Sequence, residues 1–495
     1  MKELNRREFI KLSGTGLAGF TIGCYGISGL SKPVRQPNVL FIMADDHATN
    51  AISAYKSRLA KVAPTPNIDR IAKEGILFRN VFCSNSICTP SRATILTGQY
   101  SHINGVHSLK GNLPPEKQFL AHEMKNAGYQ TAMIGKWHLK QEPDAFDFYQ
   151  VLPNQGKYFN PRFRLRGENG WKKDEVKVPG HSSDVITDIS LKWLKERDKN
   201  RPFFLMHHFK APHGKWEYAK RYEDYLAEVE IPEPDSLYEN GNHGSTATRG
   251  KQDNQIHSIA SSLSRRHHKR KQHLTIDIPS SVTEKEYKHL AYQNYLKRYL
   301  RCCKGVDDNV GRLLEYLEAE DLLDDTVIIY TSDQGMFLGE HDYIDKRWMY
   351  EESLKMPFMV RYPGFVKQGS LNDDMITNAD FAPTILEMAR VKKTPEYMQG
   401  RSFAQNMSGQ TPDDWPDCIY YRYWMHMAHH YNPAHFGIRT KEYKLIFYYG
   451  TGYGNELDPK HENTIPGWEF YDLNEDPNEM NNLYYDPGYP REINN

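Results

Sequence analysis

The sequence predicts an α/β fold, a layered sheet of mostly parallel buried strands, followed by a smaller C-terminal α+β domain. Three observations carry that expectation: short unbroken apolar runs recur along the chain, helix-like stretches lie between them, and the runs break off into charged or imidazole side chains. Unbroken apolar runs mark strands covered on both faces, and strand–helix alternation builds a parallel sheet. In such sheets ligands bind beyond the carboxyl ends of the strands.

Taken in order, the first run, Val39-Leu40-Phe41-Ile42-Met43-Ala44, ends in Asp45-Asp46-His47. A helix is expected over Asn67–Lys73. In Cys88-Thr89-Pro90-Ser91-Arg92-Ala93-Thr94-Ile95-Leu96-Thr97-Gly98, Pro90 and Gly98 bracket a short helix. Cys88 then sits at or just before a helix N-terminus, where backbone N–H groups favour an anion. Thr131-Ala132-Met133-Ile134-Gly135 runs into Lys136-Trp137-His138, and a helix over Ser183–Arg197 follows. Phe203-Phe204-Leu205-Met206 precedes His207, His208 and Lys210-Ala211-Pro212-His213. After a long helix over Tyr287–Leu323, Val327-Ile328-Ile329-Tyr330-Thr331-Ser332 ends in Asp333-Gln334-Gly335. The smaller domain begins near 395, with a strand at Tyr443–Tyr449. Four polar endings at one edge of a sheet point to an active site there.

Composition bounds the function. The 495 residues carry 63 basic and 63 acidic side chains, so no global positive field is available for coating nucleic acid. With glycine counted in place of tyrosine, the apolar share stays at about 39%, below the usual 45–50% but enough for a large core. The 32 Tyr and 21 His favour a carbohydrate or metal site. No stretch after residue 35 is long and apolar enough to span a bilayer. Residues 1–35 read as an export signal. Arg6-Arg7 precedes an uncharged stretch whose six glycines between Leu12 and Leu30 make a poor helix, a twin-arginine pattern. Thr21-Ile22-Gly23-Cys24 loosely resembles a lipoprotein cleavage box, so a lipid on Cys24 is the one membrane attachment expected. The protein is expected to be exported, periplasmic or at the cell surface. The other cysteines, Cys83, Cys88, Cys302, Cys303 and Cys418, form no disulfide framework and no zinc-finger spacing. Residues 36–394 are the expected catalytic domain, with a polar insertion near 235–280, and 395–495 the C-terminal subdomain.

Taken alone, Cys88 fits a buried structural cysteine or a Cys–His hydrolase as well as an anion site. Its surroundings are more specific. Cys88-x-Pro90-Ser91-Arg92 with Leu96-Thr97-Gly98 resembles the first signature of the formylglycine-dependent sulfatases, and Gly128-Tyr129-Gln130-Thr131-Ala132-Met133-Ile134-Gly135-Lys136-Trp137-His138-Leu139 resembles the second. The resemblance runs from about Pro37 to the end. It includes Asp45-Asp46, Pro64–Asp69, Pro212-His213, Ser332-Asp333-Gln334-Gly335, Asp345-Lys346-Arg347 and the stretch Tyr471–Glu479. It implies a large mixed, mostly parallel sheet flanked by helices, as in alkaline phosphatases, with an antiparallel sheet in the smaller domain.

The resemblance also implies chemistry. Cys88 is oxidised to formylglycine by a maturation enzyme, and its hydrate attacks a sulfate ester. Asp45, Asp46, Asp333 and Gln334, with the converted Cys88, hold a hard cation through oxygen, Ca²⁺ or alternatively Mg²⁺. Gln334 stands where Asn or His is common, and its amide oxygen can still coordinate. Arg92 and Lys136 neutralise diol and sulfate. His213, with Lys346, protonates the leaving alcohol, and His138 takes the proton that lets sulfate depart.

The segment 333–353 is most similar to carbohydrate-acting sulfatases, among them glucosamine-6-sulfatases and enzymes of algal polysaccharides such as ulvan or carrageenan. A sulfated poly- or oligosaccharide is therefore the expected substrate. Aromatics and imidazoles at 421–431 suit either sugar binding or a packed interface, and His426 and His429 are the expected sugar readers. The basic run Arg265–Lys271 is either a solvated insertion or an arm for a sulfated polyanion. Two alternatives remain at this point: a phosphomonoester or phosphonate hydrolase of the same superfamily, and a sulfated-glycan binder without catalysis.

Overall fold

An apolar residue at every position of 39–44 requires cover on both faces of its strand, and both faces are covered. Val39, Phe41 and Met43 point into one hydrophobic core and Leu40, Ile42 and Ala44 into another. The computed structural model describes residues 35–238, 242–250, 262–264, 274, 276–391, 393–452 and 463–489. The twin-arginine stretch, Cys24 and the basic run at 265–271 lie outside the described residues.

A ten-stranded sheet divides the two cores, in the order Ser370–Asn372, Ile76–Phe78, Phe358–Arg361, Thr326–Ser332, Asn38–Asp45, Phe203–Pro212, Gln130–Lys136, Phe148–Leu152, Arg162–Leu165 and Glu175–Lys177. The middle strands, from 326–332 through 148–152, run parallel. Antiparallel pairing enters with 358–361 on one side and with 162–165 and 175–177 on the other. The sheet is thus mixed and mostly parallel at its centre, as expected. Helices Cys88–Thr97, Phe119–Asn126 and Phe381–Met388 pack into the first core, and Pro66–Lys73, Ser182–Glu196 and Glu284–Ala319 into the second.

Element boundaries depart from the sequence expectation, the long helix also ending at Ala319 and not at Leu323, and two of the departures have local reasons. The long helix starts at Glu284 because Thr283 and Glu286 exchange capping hydrogen bonds, Glu286 N to Thr283 Oγ1 at 3.2 Å and Thr283 N to Glu286 Oε2 at 2.7 Å. The strand that begins at Phe203 continues past Met206 to Pro212, buried throughout. Its imidazoles are partnered: His207 Nδ1 lies 2.8 Å from Ser190 Oγ, and His208 Nδ1 lies 3.2 Å from Lys136 O.

Near the C-terminus, Cys418–Tyr423, His435–Thr440, Tyr443–Tyr448 and Gly467–Asp472 form an antiparallel sheet in sequence order. Residues 37–495 make one compact unit. Buried charges link this sheet to the 350s: Arg439 Nη2 and Lys444 Nζ each lie 3.0 Å from Glu351, and Lys444 Nζ lies 2.6 Å from Glu479.

Candidate active site

Parallel strands deliver their carboxyl ends to one edge, and the four polar endings converge there. Asp45 closes strand 38–45, Lys136 closes 130–136, His213 follows 203–212, and Asp333 follows 326–332. Cys88, the first residue of helix 88–97, faces them: its Sγ is 3.4 Å from Asp45 Oδ1, 3.8 Å from Gln334 Nε2 and 3.9 Å from Lys136 Nζ. Every residue of that helix is buried, and Gly98 ends it at φ 63°, a left-handed cap that glycine adopts without strain.

Charge is matched inside the cluster. Lys136 Nζ donates to Asp45 Oδ2 and, at 2.6 Å, to Gln155 Oε1. Arg92 spreads its fork over Asp333 Oδ2 at 2.9 Å and Lys136 O at 2.7 Å, with Asp45 Oδ1 at 3.6 Å. Lys346 Nζ donates to Asp46 Oδ2 at 2.6 Å, and His213 Nε2 approaches the same oxygen at 3.7 Å. Gln334 Nε2 donates to Asp46 Oδ1. Asp46, His138, Asp345 and Arg347 all adopt positive φ, between 59° and 94°. Such backbone costs on the order of 1–3 kcal/mol per residue and collects at functional sites.

These surroundings separate the titrations. Burial would push the Asp45 carboxyl up, but Lys136, His213, Arg92 and Lys346 outweigh it and hold it well below the usual range. Asp46 and Asp333 go the other way, Asp333 to about 7, because burial and the neighbouring Asp45 charge outweigh their cations. Burial also raises the Cys88 thiol. Burial, then Lys136, depress both His138 and His213 far below an ordinary imidazole. Lys346 is held protonated by Asp46 against the cost of burial.

The residues present fit a hard cation. Oxygens of Asp45, Asp46 and Asp333 lie within 4.8 Å of one another, all buried, and Gln334 Oε1 is buried with no hydrogen-bond partner among the described residues. Three carboxylates and one unsatisfied amide oxygen form an all-oxygen donor set, which suits a divalent ion of the calcium or magnesium type.

Nine of the residues singled out from the sequence therefore meet: Asp45, Asp46, Cys88, Arg92, Lys136, His213, Asp333, Gln334 and Lys346. His138 lies beside them, its carbonyl accepting from Thr89 Oγ1 at 3.1 Å and its Nδ1 buried without a partner among the described residues. His426 is buried and its Nδ1 accepts the Ala434 N–H at 3.2 Å, holding the loop between them. The side chain of His429 lies outside the described residues. In the same stretch His430 Nε2 lies 3.5 Å from Asp345 Oδ2. Sequence reasoning passed over Gln155, which contacts Lys136, and Tyr299, whose hydroxyl donates to Asp46 O at 2.6 Å. Neither stands in a motif. His208, on the strand that leads to His213, has a ring nitrogen 3.3 Å from Arg92 Nη1, next to the site.

The chain belongs to the sulfatase family: the model described as Sulfatase matches residues 37–391, and one described as N-sulphoglucosamine sulphohydrolase, C-terminal, matches 339–495. It is a sulfuric ester hydrolase of that family. Over 488 residues, covering 92% of this chain and 83% of the relative, it is 38% identical to the N-acetylglucosamine-6-O-sulfatase of Bacteroides thetaiotaomicron. It is 28% identical to the N-acetylglucosamine-6-sulfatase of Homo sapiens over 422 residues, 81% of this chain and 70% of the relative. A solved structure in complex with its substrate D-glucosamine-2-N,6-O-disulfate superposes with a TM-score of 0.80 at 36% identity, covering 93% of this chain and 96% of that one. The family implies a formylglycine and a divalent metal, and the cluster above is where this chain can supply both.

Proposed function

We propose that the protein removes the 6-O-sulfate of a glucosamine unit, N-acetylated or N-sulfated, from an extracellular sulfated carbohydrate. The observation that supports this most is the 38% identity, over 92% of the chain, to a protein named for that activity. A site that balances buried carboxylates against three cations agrees with it.

Cys88, converted to formylglycine by a maturation enzyme, supplies the oxygen nucleophile. Asp45, Asp46, Asp333 and Gln334 would hold the cation, Ca²⁺ by preference, which would polarise ester oxygens and favour a deprotonated hydroxyl. The protein's own side chains do the remainder. Arg92 and Lys136, fixed on Asp333 and Asp45, set positive charge around an entering sulfate. His213 donates through Nδ1 to Gly214 O at 2.6 Å, which directs Nε2 at the cluster. An anion entering that pocket favours the imidazolium, so Nε2 can give its proton to the departing sugar oxygen. Lys346, kept charged beside Asp46, stabilises the same oxygen. His138 stays neutral and offers its unpartnered Nδ1 as the base that takes the next proton. His426 and His429 are assigned to sugar recognition, and the twin-arginine stretch to export to the periplasm or cell surface, with Cys24 as a lipid attachment point.

The test is sulfate release from N-acetylglucosamine 6-sulfate by protein co-produced with a maturation enzyme, with the mass of the Cys88 peptide measured in the same preparation. A parallel assay on phosphate and phosphonate esters separates the neighbouring chemistries. Protein carrying the formylglycine mass yet releasing no sulfate refutes the proposal.

A further inference from the structure

Beside the cluster lies a cleft of about 340 Å³ whose lining includes Trp137, His138, Asn154, Arg164, Trp171 and Lys172. Its position follows from topology. Strands 130–136 and 148–152 are parallel neighbours, so the segments that leave them, 137–140 and 153–155, emerge side by side at the active edge. Both are anchored to the site, one by Thr89 on His138 O and the other by Lys136 on Gln155. The antiparallel hairpin 162–165/175–177 extends the sheet past 148–152, and its connecting loop carries Trp171 and Lys172.

The wall of this cleft is held in place. Trp171 packs edge-on against Tyr149, centroids 5.7 Å apart, with the Arg164 guanidinium 5.2 Å from the indole. Arg164 is itself fixed by Glu175 at 3.1 Å. Lys140, also in the lining, and Lys172 are exposed, and Lys172 has no ion pair among the described residues. A fixed aromatic ring flanked by cations, opening beside a sulfate pocket, matches a sugar ring that bears a negative group.

We propose that this cleft is a second sugar subsite, taking the anionic residue adjacent to the sulfated glucosamine unit in a carbohydrate chain. Trp171 supplies the apolar wall, and Lys172 with Lys140 the countercharge. The inference rests on the glucosamine-sulfatase reading above and deepens it from a single unit to a chain. The anionic group is a carboxylate or a sulfate, which share this recognition chemistry.

The experiment compares kcat/KM for N-acetylglucosamine 6-sulfate alone with that for three disaccharides, joining the same unit to neutral galactose, to a uronate and to a sulfated galactose. Either anionic partner, or both, should exceed the neutral disaccharide by roughly fivefold, the scale of one exposed charge pair; the arm that shows the excess identifies the group. Lys172→Glu, at an exposed position, should abolish that excess without changing the monosaccharide rate. Trp171→Ala should lower all disaccharides relative to the monosaccharide. The subsite is overturned if neutral and anionic disaccharides react alike in the unsubstituted protein, or if Lys172→Glu slows the monosaccharide as much as the disaccharides. Absence of sulfate release from all four substrates refutes the activity itself, a distinct result.

Discussion

The hydroxyl of Tyr299 donates to Asp46 O at 2.6 Å and accepts the Ala48 N–H at 2.9 Å, so one phenol on the long helix pins the turn that carries two carboxylates. Asp46 needs that support, since its φ of 67° is unfavourable for a residue with a Cβ. Tyr299→Phe leaves a buried N–H and a buried carbonyl without this partner, at a cost of about 1–3 kcal/mol. The expected result is a folded protein with a lower Tm and weaker cation binding, read by thermal unfolding with and without Ca²⁺. An unchanged cation response would show that the turn holds itself.

Removing Asp46 should act differently from removing Tyr299. Lys346 is buried, and Asp46 is its nearest carboxylate, at 2.6 Å. Asp46→Ala leaves that ammonium only the longer contact to Asp345 Oδ1 at 3.5 Å, at a cost of up to roughly 3–5 kcal/mol for a broken buried pair. The double variant Asp46→Ala/Lys346→Met should recover much of this stability and none of the activity. Urea unfolding alongside sulfate release checks both halves, and a double variant as unstable as the single one contradicts the pairing.

Arg92→Lys keeps the charge and loses the fork. A lysine cannot meet Asp333 Oδ2 and Lys136 O together as Arg92 does, at 2.9 and 2.7 Å. Turnover should fall by about 10²–10³ while the fold survives. Steady-state kinetics with a circular dichroism control decides this, and near-normal turnover would remove Arg92 from its assigned role.

Cation binding should itself be stabilising. A cation that engages Asp45, Asp46 and Asp333 only in the folded chain relieves their crowding, and at 100-fold excess over Kd the gain is about 2.7 kcal/mol. Chelation should therefore lower Tm and activity together, and added Ca²⁺ should restore both. No Tm shift on chelation and re-addition, in protein verified to be metal-free, would count against this donor set.

One pH effect lies away from the site. Asp307 is buried on the long helix, accepting N–H bonds from Asn67 at 3.0 Å and Ile68 at 2.9 Å. Burial, opposed by those bonds, pushes its carboxyl from 3.8 up to about 6. A folded pKa above the unfolded one means that Asp307 contributes most below about pH 4, and that this contribution is lost as pH rises through about 6, by roughly 3 kcal/mol in all. Asp307→Asn lacks that loss, so the stability difference between variant and parent should shift in favour of the variant between pH 4.5 and 7.5. A difference that stays constant in urea titrations at the two pH values contradicts it.

Much of the site was legible because parallel strands spend their side chains on burial until they end. Val39–Ala44 has no polar residue, so Asp45 and Asp46 stand out at its terminus; Asp333 follows the apolar Val327-Ile328-Ile329 less abruptly, after Thr331 and Ser332. Strand 203–212 was read too short because buried polar residues resemble a loop until their partners are known, and Ser190 and Lys136, distant in sequence, supply them. Tyr299 was illegible for a related reason. A tyrosine at a core position of a long helix looks like packing, and only its partner 253 residues away gives it a task. The hairpin loop bearing Trp171 and Lys172 has no regular period, and its relation to the site comes from the order of the strands alone.

The enclosed helix 88–97 has a consequence for the life history of the molecule. Cys88 is 1% exposed and its helix is covered along its length, so no second protein can grasp that thiol once the chain has closed around it. The proposed conversion to formylglycine would therefore have to precede closure of the chain around it. On that proposal, a copy that closes unconverted keeps an inert sulfur at its centre, and the competent fraction of a population is set by a race between folding and modification.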